Sequence, residues 1–326
     1  METLEETELC YPELFNASCL RPKRSPSQAA LIYILLSFIS LITITLNLLV
    51  IISISYFKQL HTPTNLLLLS LAVSDFFVGI LMSFQILMTN DCWFLSDLMC
   101  VAFSVLMYST LSASVGTIVL ISIDRYVAIC DPLLYSSKVT VRRVTVCICL
   151  CWGCSIFYIT LLMYNNMTQR DRYISCIGEC VIVINHIAGA ADIILTFFAP
   201  VTVIIFLYMR VFVVAVSQAR AMRSHISDKH SVNVFAKKSK LKAARTLGVI
   251  IVAFLICLCP YFISSLQSNG SFFIATSLPL ENWLFSLNSC LNPVIYSFCY
   301  PWYRKSIKLI VTLKIFESDS CQANVL

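Results

Sequence analysis

Seven stretches of this chain are apolar over a length that is sufficient to cross a lipid bilayer. A membrane-spanning helix takes about 20 residues, and backbone N–H and C=O groups that lie in lipid must pair with each other, as they do in a helix. The stretches are residues 29–56, 64–88, 98–130, 141–164, 185–215, 241–267 and 274–298. The sequence therefore predicts an all-α membrane protein, a bundle of seven transmembrane helices.

The composition agrees with lipid as the main solvent. Apolar residues make up 59% of the 326 residues and charged residues only 12%, whereas soluble domains carry about 25% charged residues. Mean hydropathy is +0.84. We predict a tail over residues 1–28, a seven-helix domain over 29–300, and a short amphipathic helix with a cytoplasmic tail over 301–326.

Positively charged residues predict the orientation of the bundle. Of the 23 Lys and Arg residues, 18 fall on the side of the C-terminus, and this excess marks the cytoplasmic side. The N-terminus is therefore predicted outside the plasma membrane, and the net charge of +6 is explained by anionic lipid without a nucleic-acid partner. Three glycosylation sequons, which begin at Asn16, Asn166 and Asn269, all lie on the predicted outer side.

The cysteines divide by side of the membrane. Of 16 cysteines, six are predicted outside: Cys10, Cys19, Cys92, Cys100, Cys176 and Cys180. Cys100 opens the third helix and Cys180 precedes the fifth, so a bridge between them would hold the intervening loop over the mouth of the bundle. Cys176 then needs a partner from the N-terminal tail, and Cys19 and Cys10 both stay open as candidates.

Two acids lie deep within predicted spans, where an ionisable group is costly and marks a candidate functional site. Asp75 is in the second span and Asp192 in the fifth. Hydroxyl and amide groups at Ser114, Asn288 and Asn292 suit a hard cation beside Asp75. The alternative is a hydrogen-bonded packing centre without an ion.

Prolines interrupt the last three predicted helices at Pro200, Pro260 and Pro293. Each removes a backbone hydrogen bond and favours a kink. Kinked helices around buried polar groups are typical of a bundle that changes between two packings.

The ordered set of landmark residues resembles that of rhodopsin-like, G-protein-coupled receptors over essentially the whole chain. The landmarks are Asn47, Leu71 to Asp75, Cys100, Asp124-Arg125-Tyr126, Trp152, Pro200, Tyr208, Phe254, Cys257, Pro260 and Asn292-Pro293-Val294-Ile295-Tyr296. The resemblance implies a heterotrimeric G protein as partner and an allosteric sodium site at Asp75, Ser114, Asn288 and Asn292. It implies an activation switch at Asp124, Arg125, Tyr126, Tyr208, Phe254, Leu258, Pro260, Asn292, Pro293 and Tyr296. Leu258 departs from the pattern, because most relatives have Trp there.

Three segments are similar to trace amine-associated receptors: residues 57–65, 242–248 and 288–303. The last segment departs from the family fingerprint at Tyr303, where that fingerprint has Phe. This resemblance implies an extra bridge from the N-terminal tail, Cys19–Cys176, an olfactory neuron and a stimulatory G protein acting through cyclic AMP.

The residue that would pair with the ligand ammonium departs from most amine receptors. Their acid on the third helix, about five turns before the Asp-Arg-Tyr triplet, is replaced here by Met107. Some fish trace amine receptors are similar in carrying the acid on the fifth helix, which points to Asp192 and to a ligand bound in the reversed direction. The other pocket residues that the resemblance implies are Tyr108, Leu111, Thr196, Tyr261, Phe262, Trp283, Phe285 and Ser286.

Alternative interpretations differ in the role of Asp192 or in the class of protein. Asp192 would be structural if it bonds a neighbouring helix through His186 or Thr196, and the ligand would then be a non-amine odorant. A transporter would need a polar path and repeats, and an enzyme would need a catalytic motif. Neither pattern is present, so the sequence predicts a receptor that is not an enzyme and needs no cofactor apart from sodium.

Overall fold

The computed structural model is a bundle of long helices with a small disulfide-linked cap at one end. It describes residues 8–14, 17–21, 25–88, 92–164, 168, 176–178, 180–224, 248–249, 252–257, 259–260, 272–275 and 280–316. The end of the bundle that carries residues 8–21 is called the N-terminal face, and the opposite end is called the C-terminal face.

The first four long helices follow one another with short connections. They are α1 (Pro26–Tyr56), α2 (Pro63–Met88), α3 (Asp97–Cys130) and α4 (Val141–Leu162). Three begin at a residue whose hydroxyl accepts a hydrogen bond from the first turn: Ser25 before α1, Ser96 before α3 and Thr140 before α4. Such caps satisfy backbone N–H groups that have no partner within the helix.

The fifth helix, α5, is one continuous run with a change of pitch. It consists of an α-helix over His186–Ile193, a π-helix over Ile194–Phe198 and an α-helix over Ala199–Ser224. Pro200 has no N–H to donate to the preceding turn, which gives a local reason for the wider π turn. Turns of this kind are frequent at functional sites, and this one begins two residues after Asp192.

The last part of the bundle comprises α6, α7 and α8. Helix α6 is described at residues 248–249, 252–257 and 259–260, α7 spans Leu280–Cys299 and α8 spans Pro301–Val311. The run 274–298 was predicted to be helical throughout, and this was wrong at its start because Phe272–Ala275 is a strand. The described part of α7 begins at Leu280.

Helix α8 is amphipathic, as the sequence predicted. Trp302, Tyr303 and Ser306 are buried against the bundle, and the Tyr303 hydroxyl donates to the carbonyl of Leu46 at 3.2 Å. The Arg304 guanidinium donates to two carbonyls at the end of α7, those of residues 297 and 298, at 2.8 and 3.0 Å. These bonds fix α8 at the C-terminal face.

Five described helices are long and apolar enough to cross a membrane: Ala30–Tyr56, Pro63–Phe84, Asp97–Cys130, Val141–Leu162 and Ile187–Val214. Helix α3 lies at the centre, in contact with α2, α4 and α5. Large apolar side chains such as Leu31, Ile34 and Phe38 point outward from α1, as lipid contact requires. The predicted all-α bundle is confirmed.

Within the described part of the chain, four short strands lie at the N-terminal face, outside the bundle. Strands β1 (Glu8–Leu9) and β2 (Leu20–Arg21) pair with each other. Strands β3 (Val181–Ile184) and β4 (Phe272–Ala275) also pair, antiparallel, and join the segment before α5 to the segment before α7. Ile182 and Ile184 are buried, so one side of β3 closes the top of the bundle.

Candidate functional site

The Asp192 carboxylate is half-buried on α5, below the N-terminal face. The hydroxyl of Tyr158 on α4 donates to its Oδ1 at 3.0 Å. Thr196 donates its hydroxyl to the main-chain carbonyl of Asp192 at 2.7 Å and not to the carboxylate. A carboxylate that keeps acceptor capacity in a membrane-spanning segment is suited to pair with a cation.

The sequence missed the partner of Asp192. His186 and Thr196 were the candidates, whereas the described side-chain bond comes from Tyr158. One signal was available, because a tyrosine hydroxyl in an apolar run needs a hydrogen-bond partner when it is buried. The sequence contains several such tyrosines, and only the packing of α4 against α5 selects this one.

The structure describes only some of the other predicted pocket residues. Met107 and Leu111 on α3 pack against the large apolar cluster that includes Phe197 and Phe254. Tyr108 packs against a second cluster nearer the N-terminal face, with Trp93 and Ile182 among its members. Tyr261 and Phe262 lie outside the described residues, as do the side chains of Trp283, Phe285 and Ser286.

A second polar group surrounds Asp75 in the middle of the bundle. Asp75 is fully buried and accepts a hydrogen bond at Oδ2 from the Asn292 amide at 2.8 Å. Ser114 and Asn288, the other predicted members, are buried as well. The Asn47 amide donates to the Ser289 carbonyl at 3.0 Å, which ties α1 to α7 beside this group.

Three buried oxygens of this group have no hydrogen-bond partner within the described part of the chain: Asp75 Oδ1, Asn288 Oδ1 and Asn292 Oδ1. Buried polar atoms are normally paired, so these oxygens are suited to an ion or to water. One carboxylate with neutral amide and hydroxyl oxygens fits a hard monovalent cation. Among the described residues, no group of three or more His, Cys, Asp or Glu side chains is placed to hold a metal ion.

A third polar group lies where α3 ends at the C-terminal face. The Arg125 guanidinium donates to Asp124 Oδ2 through Nε at 3.0 Å and also donates to the hydroxyl of Thr64. Asp124 accepts two further bonds, from Thr64 at 3.0 Å and from Tyr135 at 2.8 Å. Burial, with a smaller contribution from the Asp124 charge, raises the pKa of the Tyr135 hydroxyl above its ordinary value, so it remains a donor.

The remaining predicted switch residues line the same half of the bundle. Tyr296 is fully buried, its hydroxyl has no hydrogen-bond partner among the described residues, and its ring contacts that of Tyr300 at 5.9 Å between centroids. Phe254 is fully buried. The other members are Tyr126 and Tyr208, both partly buried, Pro293 inside α7, and Pro260 on α6, whereas Leu258 lies outside the described residues.

The described residues include three disulfides, and all three fasten the N-terminal face. Cys100–Cys180 joins the start of α3 to the residue before β3, and Cys19–Cys176 joins the N-terminal segment to the same loop. Both pairings were predicted, Cys100–Cys180 from the positions of the two residues and Cys19–Cys176 from the resemblance. The third, Cys10–Cys92, was not predicted. The three bridges, with Gly178 at a φ of +105° packed beside Cys10, hold residues 8–14 and 17–21 over the bundle.

The fold and these sites define a class of protein. Residues 46–296 match the family model described as 7 transmembrane receptor (rhodopsin family). The chain is therefore a seven-transmembrane receptor of the rhodopsin family, a multi-pass membrane protein with a small-molecule ligand and a G-protein partner. It is not an enzyme, and a transporter is no longer an alternative.

Individual relatives narrow the assignment. Trace amine-associated receptor 13c of Danio rerio is 35% identical over 335 residues, which cover 98% of this chain and 97% of that protein. Trace amine-associated receptor 9 of Rattus norvegicus is 38% identical over 331 residues, with shares of 98% and 97%. Trace amine-associated receptor 8b of Mus musculus is 37% identical over 328 residues, with shares of 96% and 95%. Within the rhodopsin family, this chain belongs to the trace amine-associated receptors, and the predicted resemblance is confirmed.

Proposed function

We propose that this receptor recognises a small amine whose ammonium pairs with the Asp192 carboxylate. The observation that carries the proposal is a half-buried acid on α5, close below the N-terminal face. Asp75, the other acid deep in the described bundle, is fully buried and bonded to Asn292. An ammonium that leaves water needs a counter-charge. Asp192 supplies that charge close enough to the N-terminal face for a ligand to reach it.

The bound amine would lie with its charged end toward α5. Met107, at the position where most amine receptors have their acid, packs in the large apolar cluster and cannot neutralise a cation. The same surface of α3 carries Leu111 one turn further on, so α3 supplies an apolar wall for the carbon chain of the ligand. Aromatic side chains at Tyr261, Phe262, Trp283 and Phe285 would complete the wall.

The signal would leave through the C-terminal face. Arg125 is held by Asp124 and Thr64, so its guanidinium must be released before it can meet a G protein. We propose a stimulatory G protein, cyclic AMP as the readout, and an olfactory neuron as the site of expression, on the basis of family resemblance. A plasma-membrane location with the N-terminus outside, glycosylated at Asn16, Asn166 and Asn269, follows from the distribution of charges and sequons.

Sodium is the second ligand that we propose. It would bind at Asp75, Ser114, Asn288 and Asn292, and the support is the set of buried oxygens without protein partners among the described residues. A sodium ion there would bridge α2, α3 and α7 and favour the closed packing of these helices.

The test measures cyclic AMP in cells that express wild type or Asp192→Asn, against primary monoamines and diamines (2-phenylethylamine, 3-methylbutylamine and 1,5-diaminopentane). We expect at least one amine to activate wild type, and we expect the Asp192→Asn variant to lose that response at equal surface amount. Glu13→Gln, which removes an exposed acid from the N-terminal face, should respond as wild type does. An equal response of Asp192→Asn would refute the pairing.

The alternative function is a receptor for a non-amine odorant, in which Asp192 is structural. The Tyr158–Asp192 hydrogen bond favours it, because this bond joins α4 to α5. The two functions differ in outcome: with a structural Asp192, the Asp192→Asn variant would lose surface amount and no amine would activate wild type.

A further inference from the structure

The hydrogen bond between Tyr158 and Asp192 joins two helices at one depth of the bundle. Tyr158 lies four residues before the end of α4 at Leu162, and Asp192 lies six residues after the start of α5 at His186. At a rise of 1.5 Å per residue, both are about 6–9 Å below the N-terminal face. The bond between them measures 3.0 Å.

The donor is held in place by its own helix. Ser155 and Ile159 are buried on α4, as is Met163 directly after it. Tyr158 lies beside these residues and packs on the cluster that includes Ile159 and Ile182. Trp152, further along α4, donates through Nε1 to the Ser70 hydroxyl at 3.1 Å and fastens α4 to α2. The hydroxyl of Tyr158 therefore approaches α5 from a fixed position.

The acceptor is held from the other side. Ile193, the residue after Asp192, is buried, and the main-chain carbonyl of Asp192 accepts the Thr196 hydroxyl at the start of the π turn. These contacts fix the backbone of Asp192. The orientation of its side chain then depends on the hydrogen bonds that the carboxylate makes.

Tyr158 bonds only one of the two oxygens of the Asp192 carboxylate. Its bond reaches Oδ1, and within the described part of the chain Oδ2 has no hydrogen-bond partner. An ionised carboxylate has about four acceptor sites, so the bond does not compete with an ammonium. In surroundings of low dielectric, a hydroxyl that bonds the charged form also favours that form over the neutral acid.

We propose that Tyr158 is a positioning residue for amine recognition, holding one oxygen of Asp192 so that the other is available to the ligand ammonium. This inference rests on the proposed pairing of the amine with Asp192. Fixing a binding group in its productive geometry before the ligand arrives raises affinity without a new ligand contact. Tyr158 would thus set the potency of amines without touching them.

The experiment compares Tyr158→Phe with wild type, using the panel amine that activates wild type at the lowest concentration. A hydrogen bond to a charged group is worth at least about a factor of ten. We expect the half-maximal concentration of the amine to rise about tenfold, with the maximal cyclic AMP response and the surface amount unchanged. Tyr164→Phe, which removes an exposed tyrosine hydroxyl near the end of α4, should shift it less than twofold.

A double-mutant cycle shows whether Tyr158 acts through the carboxylate. Asp192→Glu keeps the charge but moves it by one methylene, so it should lower potency in wild type and lower it much less when Tyr158 is already Phe. Strictly multiplicative effects would overturn the proposal, because they would mean that the two residues act independently.

The remaining outcomes separate this inference from the function on which it rests. If Asp192→Asn keeps the amine response, the proposed pairing itself is wrong. If Asp192→Asn loses the response but Tyr158→Phe keeps full potency, the pairing stands and the positioning role is refuted. A fall in surface amount or maximal response without a shift in potency would assign Tyr158 to packing alone.

Discussion

Gly79 on α2 lies directly against α1, and replacing it tests how closely these two helices pack. A Cβ atom added at Gly79 would lie 2.8 Å from Ile44 Cγ1, 3.2 Å from the Ile44 backbone nitrogen and 3.2 Å from Thr43 Cγ2. Carbon atoms in contact are normally about 3.5–4.0 Å apart. The Ile44 side chain can rotate, but the backbone nitrogen cannot, so Gly79→Ala must move α2 away from α1.

The structure gives the size of the effect. Separating the helices by about 0.5 Å, enough to relieve the overlap to ordinary contact distance, lengthens the bond from the Ser40 hydroxyl to the Gly79 carbonyl, now 2.8 Å. Overpacking costs about 1–3 kcal/mol, the weakened bond about 0.5–1.5 kcal/mol, and the better helix propensity of Ala returns about 1 kcal/mol. The net destabilisation is therefore about 0.5–3.5 kcal/mol.

The matched control is Gly153→Ala on α4. A Cβ atom there has nothing within 4 Å, so only the gain in helix propensity remains. Thermal unfolding of purified receptor in detergent should give an apparent Tm about 2–10 °C lower for Gly79→Ala, at roughly 3 °C per kcal/mol, and an equal or higher Tm for Gly153→Ala. Equal Tm values for the two variants would refute the close packing of α1 against α2.

Three further predictions concern the other sites. Tyr135→Phe removes one of the bonds that hold Asp124 and should raise basal cyclic AMP at least about tenfold at equal surface amount, since a bond to a charged group is lost; an unchanged basal level would argue against a closed Arg125. Cys10→Ser and Cys92→Ser should each lower surface amount because a bridge across 82 residues is lost, typically about 2–4 kcal/mol, and the double variant should be no worse than either, whereas additive losses would contradict the pairing. Asp75→Asn should abolish any effect of replacing sodium by choline on amine potency, and a sodium effect that persists would place the ion elsewhere.

The local features of this protein could be predicted because they depend on neighbours in sequence. The length of an apolar run is enough to predict a membrane helix, since lipid leaves the backbone no other partners. The amphipathic spacing of α8 and the charge asymmetry of the loops could be read in the same way. The error at the start of α7 has a local cause as well, because hydropathy cannot distinguish a buried strand from a helix.

Only the tertiary structure decided which distant residues meet. The bond from Tyr158 to Asp192 joins positions 34 residues apart, and Cys10–Cys92 joins positions 82 residues apart. Strand β3 pairs with β4 from a different loop. The sequence by itself determined seven apolar helices, their polar residues and the missing acid at Met107. The packing of the helices decided which polar side chains bond to each other. Each helix presents several polar groups, and only some of them come within hydrogen-bond distance of a group on another helix.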